Sequence, residues 1–292
     1  MIDKTLSLGD ETLHYADFGG RGATIVLVHG LGGSHKNWLA VGDALSEHGR
    51  VVAIDLPGFG LSPRPKRGSS VDVLGESLAG FIDAISSEPV HLVGNSLGGA
   101  LTVLEAARRP ARVRSALLVC PALPPVPFAP PSPRLLGTLA MAFAPFGSAL
   151  LGRRARRTGP RQMVHDLLAL CCVDPSRVPR EVVDAHVDLA STRASRPWAD
   201  RAFAEAARSV VRLVALDPRY RSALRSLDVP TLVVHGVEDR LVSVRAARAV
   251  AARAPRLRLV ELPDVGHTPQ LEVPTKLVEL AAAFFASTSA SR

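Results

Sequence analysis

Val90-His91-Leu92-Val93-Gly94-Asn95-Ser96-Leu97-Gly98-Gly99 runs from a short apolar segment into a serine flanked by glycines, and Ala100 to Ala107 behind it has helical composition. Strand, tight turn and helix with serine at the apex is the pattern of a nucleophile elbow. The turn holds the serine backbone in a strained conformation, so the positions two before and two after must lack bulk. Gly94 and Gly98 meet that requirement. An ordinary helix N-cap is the competing reading of Ser96.

Outward from the elbow, Ile25 to Val28, Val51 to Ile54 and Ala116 to Val119 are further short apolar runs, as expected for strands buried on both faces of a parallel sheet. Helix-length segments, Trp38 to Glu47, Val71 to Ile85 and Ala100 to Arg109, alternate with them and predict βαβ units. Leu6 to Leu8 and Leu13 to Tyr15 around Gly9-Asp10 predict an opening antiparallel hairpin. After Cys120 the rhythm breaks, because seven of the thirteen residues from Pro121 to Pro133 are proline. Helical composition then runs from Arg134 to about Arg225, before Thr231 to His235 and Leu257 to Leu262 resume the strand pattern. The expected organisation is a core over 1–120, an all-helical cap insertion over 121–225 and the second part of the core over 226–292.

A serine hydroxyl is a poor nucleophile at neutral pH and requires a base, oriented in turn by a carboxylate. His267, in Pro263-Asp264-Val265-Gly266-His267, lies just beyond the last apolar strand, and Asp239, in Gly236-Val237-Glu238-Asp239-Arg240, just beyond the preceding one. Both fit the rule that chemistry gathers at strand carboxyl ends in open α/β sheets. Glu238, adjacent and also carboxylic, leaves a choice at the acid position. For an oxyanion, Leu97 at the helix start offers one backbone N–H, and Leu31 in the glycine-rich His29-Gly30-Leu31-Gly32-Gly33 offers a second. His29 is expected to shape that loop. His14, His35, His48, His91, His165, His186 and His235 show no comparable context and are expected to be structural or exposed.

Taken together these motifs resemble the α/β-hydrolase fold family, in the subset that carries a helical cap. The resemblance rests on His29-Gly30 after an early strand, Asp55-Leu56-Pro57-Gly58-Phe59-Gly60-Leu61-Ser62 after the next, the Ser96 elbow, Asp239 and Gly266-His267, in the family's order. It implies a mostly parallel sheet of about eight strands flanked by helices. It also implies a triad of Ser96, Asp239 and His267, with no cofactor and no metal. The family's alternative acid position follows the strand ending at Cys120, where no carboxylate stands close. Asp55 and Ser62 are expected to build the loop beneath the site.

The leading functional expectation is an esterase or small lipase acting on an ester with a hydrophobic acyl or alcohol part. A carbon–carbon bond hydrolase of ring-cleavage products is the alternative, since Gly94-Asn95-Ser96-Leu97-Gly98-Gly99 is similar to that subgroup's elbow, and Arg193 or Arg196 could clamp a substrate carboxylate. Thr268 stands where those relatives tend to carry an aromatic. A hydrolase-fold ligand receptor is the alternative of another class. Serine at the elbow disfavours epoxide hydrolase and haloalkane dehalogenase chemistry.

The net charge of +8 invites a nucleic-acid reading, but only four of 35 basic residues are lysine, and no nucleic-acid motif accompanies the excess arginine. Arg153, Arg154, Arg156, Arg157 and Arg161 do cluster, next to the uncharged Leu135 to Gly152, which carries Pro145 and reads as a cap helix over the site or a lipid-facing flap rather than a membrane span. Cys120, Cys171 and Cys172 cannot form a disulfide framework, and the last two are expected to fill core. Met1 to Tyr15 alternates like a strand and lacks an apolar stretch of signal-peptide length, so a cytoplasmic enzyme is expected.

Overall fold

The computed structural model describes residues 1–127, 136–137, 140, 142–144, 146–194, 196–254 and 256–289. Phe128 to Leu135, Leu139, Met141 and Pro145, on which part of the proline-rich and uncharged-stretch readings fall, lie outside them.

Eight strands form one sheet: β1 (Ile2–Leu8), β2 (Glu11–Gly19), β3 (Thr24–Val28), β4 (Arg50–Ile54), β5 (Val90–Asn95), β6 (Val113–Val119), β7 (Thr231–Gly236) and β8 (Leu257–Leu262), in the order β1-β2-β4-β3-β5-β6-β7-β8. The first two strands pair antiparallel, β2 meets β4 antiparallel, and every later pairing is parallel. The opening hairpin is longer than its apolar residues suggested, because its outer positions are exposed and carry no hydrophobic signal.

Strands β3 and β5 to β7 are buried almost throughout, and their alternation feeds two separate cores. Val26, Val28, Val52, Ile54, Leu92 and Leu118 face helices α2 (Val71–Ile85) and α3 (Leu97–Arg108), where Leu74, Leu78 and Phe81 are wholly buried. Ile25, Leu27, Val51, Ala53, Val93 and Leu117 face Trp38, Val41 of α1 (Leu39–Leu45) and Phe284 and Phe285 of the last helix, Pro274–Ser289. Each large side chain removed from water contributes about 1.5–3 kcal/mol, so a one-residue slip of any central strand would forfeit both cores at once. The segment expected to be helical from Trp38 opens instead as a 3-10 turn, His35–Trp38, capped by Ser34.

The order reverses at β3, since the chain moves from β3 to β4 on one side and then to β5 on the other. Such a switch point opens a crevice beyond the strand carboxyl ends. Between β6 and β7 lie helices Gly147–Thr158, Pro160–Cys171, Arg180–Ala194, Ala199–Leu216 and Pro218–Arg225. They meet the loops at that edge. Glu205 pairs with Arg64 at 2.6 Å and accepts the Ser69 N–H, Arg196 donates to the Gly60 carbonyl, Tyr220 donates to the Ala122 carbonyl at 2.5 Å, and Phe203 packs by Gly32. No helix among the described residues is long and apolar enough to cross a membrane.

Candidate active site

Ser96 sits between β5 and α3 with φ 54° and ψ −115°, a conformation that costs a non-glycine residue on the order of 1–3 kcal/mol. Its surroundings hold it there. The Ser96 N–H donates to the Val119 carbonyl at 3.1 Å, while its own carbonyl accepts from Ala100 at 3.1 Å and Ala122 at 2.9 Å. A side-chain carbon at Gly94 would collide with the Gly98 carbonyl, and one at Gly98 with the carbonyls of Val28 and His29. The Ser96 side chain makes no hydrogen bond to the helix it precedes, so it is not serving as the N-cap.

Pairing of β3 with β5, Val28 opposite Gly94, brings the loop after β3 against the elbow. A side-chain carbon at Gly30 would stand 3.0 Å from the Ser96 Cβ. Leu31, next in sequence, is half-buried and packs against the main core. Leu97 is the first residue of α3, so its N–H has no carbonyl partner within the helix. His29 braces this loop. It is fully buried, Nδ1 donates to the Gly30 carbonyl at 2.7 Å, and Nε2 accepts the Leu56 N–H at 3.0 Å. Burial pushes the imidazole down to about 4, which keeps it neutral and fixes that tautomer.

At the far side, Asp239 Oδ1 accepts the N–H groups of Leu241 at 2.8 Å and Val242 at 3.0 Å, closing the turn after β7. Its Oδ2 lies 2.7 Å from His267 Nδ1. A carboxylate only accepts, so Nδ1 carries a proton, and Nε2 is the ring nitrogen turned away from Asp239. Burial alone would raise the Asp239 carboxyl, but the charge and hydrogen bond of His267 outweigh it and hold the group below its ordinary value. Of the two neighbouring carboxylates, Glu238 is exposed and Asp239 reaches His267.

The histidine loop and the elbow are tied by Asn95, whose side-chain amide donates to the His267 carbonyl at 3.1 Å and to the Val119 carbonyl at 3.0 Å. Among the described residues no hydrogen bond runs directly from Ser96 Oγ to His267. Such contacts commonly tighten only with substrate present.

Several neighbours carried no sequence signal. His235, on β7, sets Nε2 2.9 Å from the Val242 carbonyl and 3.4 Å from Asp239 Oδ2, with burial lowering its pKa. Cys120, where the alternative acid would stand, is a buried thiol between Gly236 and Gly266; burial, then the Asp239 charge, raises its pKa well above the ordinary value. It is neutral and cannot replace a carboxylate. Cys171 and Cys172 fill core as expected and are unpaired. The Cys171 carbonyl also accepts the His267 N–H at 2.5 Å, a role no side-chain pattern could announce.

Asp55 and Ser62 lie beneath the β3 and β4 loops. Ser62 Oγ accepts the His14 N–H at 2.8 Å and donates to the Asp55 carbonyl at 2.6 Å. Asp55 accepts from His14, His35 and Leu61.

Residues 23–274 match the family model described as the alpha/beta hydrolase fold. The chain belongs to that family. Among its relatives, a 2-hydroxy-6-oxo-2,4-heptadienoate hydrolase of Pseudomonas putida is 30% identical over 92% of this α/β-hydrolase and 91% of its own length. A monoacylglycerol lipase of Homo sapiens is 25% identical over 97% of this chain and 84% of its own. Among solved structures, a 2-hydroxy-6-oxo-6-phenylhexa-2,4-dienoate hydrolase from Rhodococcus superposes on the α/β-hydrolase with a TM-score of 0.78 at 25% identity, covering 98% of both chains.

Proposed function

We propose that this α/β-hydrolase cleaves a carboxylic ester with a hydrophobic acyl or alcohol part, through an acyl-enzyme on Ser96. The 2.7 Å pair between Asp239 and His267, fastened beside the strained elbow by Asn95, carries this reading. His267 Nε2 takes the hydroxyl proton as Ser96 attacks the carbonyl carbon, and the N–H groups of Leu31 and Leu97 hold the oxyanion. The imidazolium then protonates the departing alcohol. Water, deprotonated by the same imidazole, attacks the acyl-enzyme and releases the acid and free Ser96.

Apolar side chains support the substrate class. Leu31, Leu123 and Phe203 pack together with the core at the strand carboxyl edge, on loops or helices next to Ser96 and the β3 loop. The helices between β6 and β7 act here as the cap. The cap exposes Phe146 and Leu150 together with Arg153, Arg154 and Arg157, a face suited to peripheral contact with an anionic membrane as the source of an acylated substrate. Three unpaired cysteines accord with a cytoplasmic setting.

Turnover of p-nitrophenyl esters of increasing chain length, with a covalent serine probe in parallel, tests the reading. Ser96→Ala should lose roughly 10⁴-fold or more of kcat, and His267→Ala should abolish labelling. Labelling without turnover of any ester would overturn it.

One observation favours carbon–carbon hydrolysis of a ring-cleavage product as a second reading. Arg193, lowered in pKa by burial, lies over the Phe59 ring at 5.7 Å and donates to the Gly32 carbonyl at 3.1 Å, so the cap sets a cation against the oxyanion loop. A substrate carboxylate would find a partner there. Thr268 in place of an aromatic, packed on Cys172 Sγ at 3.4 Å, weighs against it.

A further inference from the structure

Away from the triad, His14 on β2 and His35 on the turn after the β3 loop converge on one point. Both are buried, His35 completely. Their Nδ1 atoms share a single carboxylate, Asp55, His14 at 2.8 Å and His35 at 2.9 Å from Oδ2. That carboxylate also accepts the backbone N–H groups of His35 at 2.6 Å and Leu61 at 2.8 Å. Both Asp55 oxygens accept backbone N–H groups, so each Nδ1 atom is the donor in its contact with the carboxylate.

The consequence lies at the opposite ring nitrogens. Neither His14 Nε2 nor His35 Nε2, each buried, has a hydrogen-bond partner among the described residues. Both face the same oxygen, Asp3 Oδ1, at 3.1 Å and 3.7 Å. Two ring nitrogens and a carboxylate oxygen, all electron-rich donor atoms, therefore converge on one point, with the ring centroids 4.7 Å apart. A single cation set among them would satisfy all three at once.

We propose that Asp3, His14 and His35 bind one zinc ion, with Asp55 as the carboxylate that orients both imidazoles. The three donor atoms lie within 4.8 Å of one another. Ligands about 2.0–2.1 Å from a tetrahedral zinc stand about 3.3 Å apart, and the 3.1 and 3.7 Å separations bracket that value. Asp55 supplies the second-shell carboxylate–histidine contact typical of such ions. The half-exposed Asp3 side chain gives the metal an entrance and leaves the fourth position to water. Asp3 comes from β1, His14 from β2 and His35 from the turn that closes the β3 loop, so the ion would clamp the opening hairpin to the segment behind Leu31. Its role is to brace that loop rather than to activate water for Ser96.

Full-length protein stripped with a chelator and titrated with zinc against a chromophoric competitor should take up one equivalent. Asp3→Ala, on an exposed strand end, should weaken binding on the order of tenfold or more, and Ser96→Ala should leave it unchanged. Cobalt in the wild-type protein should give visible bands of a tetrahedral nitrogen–oxygen site, a readout that needs no variant to fold. No uptake, or uptake indifferent to Asp3→Ala, would overturn the proposal. So would a thiolate-to-cobalt charge-transfer band, which would place the metal at Cys120, His235 and Asp239 instead.

Discussion

The carbonyl oxygen of Cys171 accepts the backbone N–H of His267 at 2.5 Å, so the loop that carries the imidazole is fastened to helix Pro160–Cys171 of the insertion as well as to the sheet. Glu272 reinforces the join: one carboxylate oxygen accepts the Gly266 N–H at 2.8 Å and the other the N–H groups of Val173 at 2.8 Å and Asp174 at 3.0 Å. A displacement of that helix is therefore transmitted to the proposed general base.

Gly266 is the narrow point of this join, since a side-chain carbon there would collide with the Cys171 carbonyl. Gly266→Ala should push the histidine loop away from the elbow and lower kcat about 10²-fold, the usual consequence of a misplacement of about 1 Å. Rates of covalent probe labelling at Ser96, with circular dichroism to verify folding, measure this. Unchanged labelling would show that the loop tolerates the shift.

Asp239→Asn keeps the shape but reverses the polarity available to His267 Nδ1. The imidazole should take the wrong tautomer, and kcat should fall on the order of 10³–10⁴-fold with KM little altered. Steady-state kinetics on the best ester decide it, and a loss below tenfold would point to another orienting acid.

Gly98→Ala tests the elbow's packing instead of its chemistry. The new methyl would meet two backbone carbonyls, neither of which can rotate aside. The expected loss is about 3 kcal/mol or more, read from the shift of a urea denaturation midpoint.

Stability should decline as pH falls from about 6.5 to about 4. His29 is pushed down to about 4 by burial, so in that window the unfolded chain binds a proton that the native chain refuses. The effect, about 3 kcal/mol for His29 alone at the acid end, has the same sign for His91, His186 and His235, all lowered by burial. Thermal melts across this range should show the fall, and a melting temperature flat from pH 6.5 to 4 would contradict it.

Arg193→Met separates the two substrate classes. A neutral ester should keep its kcat/KM within about threefold, whereas a substrate bearing a carboxylate should lose about 10- to 100-fold through one missing charge-assisted hydrogen bond. Equal losses on both would mean that Arg193 serves only to hold the Gly32 loop.

The fold was legible in the sequence because its determinants are local. Four residues such as Val90 to Val93 announce a buried strand by themselves, and Gly94, Ser96 and Gly98 announce a crowded turn within five positions. Asp239 and His267 stood out because each follows such a strand. Contacts made by backbone carbonyls or by distant strands were not legible. Nothing in the composition near Cys171 marks its carbonyl as the anchor of His267. The grouping of His14, His35 and Asp55 depends on β2 returning antiparallel along β4, with Tyr15 opposite Ile54, a pairing that no single window of sequence contains.

The sheet order also dictates when chemistry can begin. Ser96 leaves the ribosome with β5, in the interior of the sheet, while Asp239 and His267 follow β7 and β8 toward one edge, after the whole helical insertion has been made. Under the assignment proposed here, an unfinished copy holds an unarmed serine, and acyl chemistry is withheld until the last edge strand docks.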